Sequence, residues 1–98
     1  MKQIYVVIRN RTSKFQPSLP LEEQPAWREH ADFMDALFAK GFALLVGPLE
    51  GSSDVLIIVR AESPEEIERR FADDPWTSMD ILRTTRIAIW TLRLGVLP

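Results

Sequence analysis

Apolar residues along the chain fall into blocks with two different periods. Ile4 to Ile8 is a short, β-branched, uninterrupted run and predicts a strand. Trp27, His30, Met34 and Leu37 recur at three- and four-residue spacing, with Arg28, Glu29, Asp32 and Asp35 on the opposite side. That spacing predicts an amphipathic helix. Pro25 suits its first position and the apolar stripe runs to Phe38; Lys40-Gly41 closes it with a cation and a residue that tolerates a left-handed cap. Phe42 to Val46 predicts a second strand, stopped by Gly47-Pro48, and a GSSD turn leads to a third over Val55 to Val59. Ser63-Pro64-Glu65-Glu66 is a capping box with proline at the first helical position, opening a short helix that runs to Arg70 or Phe71. DDPW then breaks it, because a residue before proline is pushed out of the helical region. Ile81 to Leu94 carries the last strand, with Ile87, Ala88, Ile89 and Trp90 at its centre.

The order is β-α-β-β-α-β, an α+β, ferredoxin-like pattern: a four-stranded antiparallel sheet with two helices on one face. By alternation, Ile4, Val6, Ile8, Leu44, Val46, Val55, Ile57 and Val59 form one set. Tyr5, Val7, Leu45, Leu56, Ile58, Trp90 and Leu92 form the other. Both sets are apolar, whereas a sheet with one wet face alternates with polar residues. Something beyond the two helices is expected to cover the second face, and a homodimer through the open sheet face does so. The segment from Asn10 to Gln24 has no period and two prolines. It reads as a flap, mobile without ligand.

A chain of 98 residues makes one domain, 1–98, and buries only roughly 65% of its unfolded surface, so its own core is marginal. A hydrophobic content of 46% with 27% charged residues is ordinary for a soluble globular protein. The formal charge of -2 offers no basic field for nucleic acid or anionic membrane. IYVVIRN faintly suggests an RNA-recognition strand, but DVLIIVRA lacks the aromatic partner. No apolar run approaches a membrane span, and the N-terminal one is too short for a signal peptide, so a cytoplasmic setting is expected. Without cysteine, thiolate chemistry and disulfides are excluded, and a single histidine makes a metal site unexpected. No cofactor is expected.

Three motifs in order carry a family resemblance: the His30 helix, KGFALLVGPLEG from Lys40 to Gly51, and ADDPW from Ala72 to Trp76. From Ile4 to Leu94 the chain resembles the YCII-related (YciI-like) family. The resemblance implies a single YCII-like domain forming a dimeric α+β barrel, in which two sheets pack face to face. It also implies an active site with a histidine and an aspartate, falling here on His30 and Asp74. The wider barrel superfamily includes muconolactone isomerases and cofactor-free monooxygenases, which implies small cyclic or aromatic substrates. Two departures stand out: GSSD is shorter than the usual glycine-rich continuation, and the Asn10 to Gln24 segment is longer and richer in proline.

The topology points to the same end of the fold. The start of the first helix carries His30, the second strand ends at Gly47-Pro48, the second helix ends before Asp74, and Arg9 caps the first strand. A carboxylate beside an imidazole fixes its tautomer and suits it to general acid–base work. Asp73 is an alternative partner, and an Asp-Pro turn needs no chemistry to explain it. His30 also reads as a core histidine bonded to backbone. Trp27 and Trp76 wall an apolar pocket or simply pack the core. Arg9, with Arg11 and Lys14 after it, holds an anionic group or is solvated surface charge. Two functions remain. One is a small enzyme using a His–Asp pair for proton transfer, isomerisation or elimination on a small anionic or ring-containing metabolite. The other is a non-catalytic small-molecule-binding or dimerisation module of the same fold.

Overall fold

A computed structural model describes residues 1–97. Its elements are β1 (Gln3–Arg11), α1 (Trp27–Ala39), β2 (Ala43–Pro48), β3 (Asp54–Ala61), α2 (Pro64–Ala72), α3 (Pro75–Ser78) and β4 (Leu82–Ile89). The strands pair antiparallel in the order β2-β3-β1-β4. This is an α+β architecture compatible with a ferredoxin-like fold, with three α-helices where the pattern gave two. No helix among the described residues is long and apolar enough to cross a membrane.

The extra helix comes from the DDPW break. Pro75 holds Asp74 in extended backbone, and Asp74 then caps a new turn through its own side chain. α2 starts as its sequence indicates: Ser63 Oγ accepts the Glu66 N–H at 3.1 Å, and Glu66 Oε1 accepts the Glu62 N–H at 2.7 Å. α1 begins two residues later than Pro25 suggests. Ala26 adopts a left-handed conformation (φ 54°), and the Pro25 carbonyl accepts the Trp76 indole N–H at 2.6 Å instead of serving the helix.

The grouping of strand residues by parity needs correction. Tyr5 lies opposite Val59, Val7 opposite Ile57 and Arg9 opposite Val55. Tyr5 and Val7 therefore join Ile57, Val59 and Ala61 beneath Leu37 of α1 and Ile67 and Phe71 of α2. Ile4, Val6 and Ile8 face the other way with Leu56 and Ile58. When both parities are apolar, nothing in one strand fixes its phase against its neighbour, and register decides. β4 is also shorter than the last apolar run: it ends at Ile89, with Leu92 and Leu94 beyond it, although the Trp90 N–H still donates to the Ile4 carbonyl at 2.8 Å.

β1 extends through Asn10 and Arg11, and the segment that follows makes hydrogen bonds to the approach to β4 and within itself. The Thr12 N–H reaches the Ile81 carbonyl at 2.9 Å. Gln24, only 3% exposed, accepts from the Gln16 N–H at 3.0 Å and donates to the Gln16 and Leu19 carbonyls at 2.6 and 3.2 Å. Phe15 packs edge-on against Trp76. Gln24→Ala removes this internal staple, and a local loss of about 2 kcal/mol should speed tryptic cleavage at Lys14 by about thirtyfold. Unchanged cleavage would mean that other contacts hold the loop.

Candidate active site

The ADDPW break delivers two carboxylates to different places. Asp73 caps the end of α2 and is exposed. Asp74, one residue on, is fully buried and accepts the Trp76 backbone N–H at 3.0 Å on Oδ1. Its Oδ2 accepts from Arg9 Nη1 at 2.9 Å. His30 Nδ1 lies 2.9 Å from Oδ1 and 3.0 Å from Oδ2. The structure thus brings His30 together with Asp74 and leaves Asp73 in solvent.

Arg9 is 1% exposed, which corrects its expected availability for an anionic ligand. Its side chain lines the cavity wall, but each of its three nitrogens already donates inside the protein. Besides Asp74, Nε donates to Thr84 Oγ1 at 3.2 Å and Nη2 to Thr77 Oγ1, while the guanidinium lies over the Phe71 ring. Thr77 in turn donates to the Phe71 carbonyl at 2.7 Å. Burial pushes the Arg9 guanidinium below its ordinary value, and the charge and hydrogen bond of Asp74 pull it back up. An arginine remains a cation through that contest. Alternation carries the warning: Arg9 continues the inward series Tyr5, Val7, and an inward charge needs a counter-ion. Thr77 and Thr84 gave no comparable signal.

His30 sits in the first turn of α1, with its ring stacked on Trp76 at 3.8 Å between centroids and 4° between planes. Trp27 lies 6.0 Å from each ring. The side-chain partner of His30 is a carboxylate, so the backbone-bonded core histidine is not what forms. In the neutral imidazole, Nδ1–H donates to Asp74 and Nε2 keeps its lone pair. Nε2 has no protein partner among the described residues, and neither is it a buried orphan.

The ring forms part of the wall of a cavity of about 490 Å³ between α1 and the sheet. Trp27, Trp76, Gly47 and Pro48 line it as well, joined by Met34, Val55 and Leu82. Its walls are therefore mostly apolar, with His30, Arg9 and Arg11 as the less exposed polar residues, while Glu22, Arg28 and Asp35 are exposed. Among the described residues no three His, Cys, Asp or Glu side chains cluster as metal ligands would. Such an enclosure suits a small organic molecule with one end near an imidazole nitrogen.

Neither a scan against protein-family models nor a search of curated proteins returns a match to this chain, and what the site does is read from its geometry.

Proposed function

We propose that the protein is a small YciI-like enzyme in which His30 Nε2 moves a proton on a small molecule held in the cavity. The observation that carries this is the asymmetry of the ring: Nδ1 is held by a fully buried carboxylate while Nε2 has no protein partner. A general acid–base group needs that arrangement, one nitrogen fixed and the other free to exchange a proton with substrate. When Nε2 takes a proton, the new charge sits beside Asp74. Arg9 acts through Asp74, holding its carboxylate in place, and does not touch the ligand. The Trp76 face keeps the imidazole plane from turning. Proton transfer, isomerisation and elimination all need only these parts, with no cofactor.

Incubation of the protein with a metabolite extract, followed by mass spectrometry, tests the reading. The wild type should deplete one species, and His30→Ala should slow that depletion by about 10²- to 10⁴-fold while remaining folded. An unconverted pool, or equal conversion by the variant, would overturn the enzymatic reading and favour a binding module.

The same proposal includes a second copy of the chain across the open sheet face. Ile4, Val6, Ile8 and Leu56 are only half-buried there. Leu45, Leu49 and Trp90 are 45%, 40% and 41% exposed around a shallow apolar hollow. Packing two such faces together, as in a dimeric α+β barrel, stabilises by about 25 cal/mol per Å² of apolar area removed from water. Light scattering at micromolar concentration should give twice the 11.3 kDa chain mass. A clean monomer would remove the barrel from the proposal.

A further inference from the structure

We infer that Arg11 is the anion-recognition residue of the cavity and that the ligand is a small ring-bearing carboxylate. This deepens the proposed function and rests on it for the position of the reacting group at His30.

Arg11 ends β1 two residues after Arg9, so its side chain leaves the same face of the sheet. Its backbone is fixed, with the N–H on the Ser53 carbonyl at 2.8 Å. The guanidinium lies 4.3 Å from the centre of the Phe15 ring, in the loop that Gln24 staples shut. Unlike Arg9, it has no carboxylate within salt-bridge reach among the described residues. Its Nε is buried with no hydrogen-bond partner. That atom is screened from any ligand, whereas Nη1 and Nη2 have no hydrogen-bond partner among the described residues and are not occluded, so they are the donors that an anion in the cavity would meet. Burial lowers the Arg11 guanidinium, and no protein anion offsets that effect.

The other cations near the cavity do not compete for the role. Arg9 has a protein partner on each of its three nitrogens, one of them the Asp74 carboxylate, and Arg28 is exposed at the rim, where it pairs with Asp32 at 3.7 Å. A guanidinium presents its donors as a planar fork that matches the two oxygens of a carboxylate. The same cavity is lined by Trp27, Leu21, Met34 and Val55, while the face of Trp76 is taken up by His30. Flat aromatic and aliphatic surfaces suit a ring better than a flexible polar chain. A carboxylate at Arg11 also anchors one end of the molecule and leaves its ring to lie towards His30.

Calorimetric titration with benzoate and with its neutral isostere benzamide separates charge recognition from ring binding. The wild type should bind benzoate about tenfold more tightly than benzamide, Arg11→Met should reduce that ratio to within about twofold, and His30→Asn should keep it. Equal affinities in the wild type, no binding of either compound, or a ratio that survives Arg11→Met would overturn the proposal. If Arg11→Met fails to fold, Arg11→Gln takes its place, and a wild-type ratio near one overturns the proposal without any variant. Loss of the carboxylate preference with His30-dependent turnover intact would remove the anion subsite alone. A preference that persists without any turnover would remove the acid–base reading alone.

Discussion

The buried ion pair between Arg9 and Asp74 joins the end of the central strand β1 to the junction between α2 and α3. Neither charge has water to fall back on, since both residues are almost completely inaccessible. Taking one partner away strands the other, a loss of about 3–5 kcal/mol in proteins whose total stability is about 5–15 kcal/mol. His30 then reaches the same carboxylate from α1, and the Trp76 N–H from α3. β1, α1 and α3 thus meet at a single side chain, which follows α2 directly in the chain. Position within the site is coupled to folding, because the carboxylate that holds the imidazole also ties β1 to the start of α3, beside the apolar core that packs α1 and α2 on the sheet.

That sharing shapes the chemistry. In an isolated His–Asp pair the whole carboxylate charge faces the imidazole, whereas here Arg9 takes part of it. The balance leaves Asp74 chiefly as an orienting group, and stacking on Trp76 fixes the ring from the side. Trp76 is itself fixed by its indole N–H on the Pro25 carbonyl, just before α1. The left-handed turn at Ala26 adjoins that bond, and the helix starts just after it, where His30 reaches Asp74.

Much of this was legible in the residues, for local reasons. The β-branched runs, the Ser63 capping box and the Asp-Pro break each act over a few residues, so they give the element order and the end of the fold where His30 and Asp74 meet. What failed was non-local. Strand phase depended on pairing between β1 and β3, since alternation cannot orient a strand that is apolar on both sides. The role of Arg9 required knowing that it continues the Tyr5–Val7 face inward. The contacts of the Asn10–Gln24 segment, from Gln24 back to Gln16 and Leu19 and from Thr12 to Ile81, have no periodic signature. Arg11 followed the same pattern: its unpartnered Nε is a feature of packing, and charge composition alone does not reveal it.

The central claim is that Asp74 fixes the His30 tautomer and leaves Nε2 as the working nitrogen. Because His30 is the only histidine in the chain, nitrogen-15 NMR of the imidazole reads this without overlap. With the ring neutral, Nδ1 should carry the proton, show a pyrrole-type shift and exchange that proton slowly, while Nε2 should show a pyridine-type shift. A protonated Nε2 with an unprotonated Nδ1, or nitrogens that average between the two tautomers, would contradict the account.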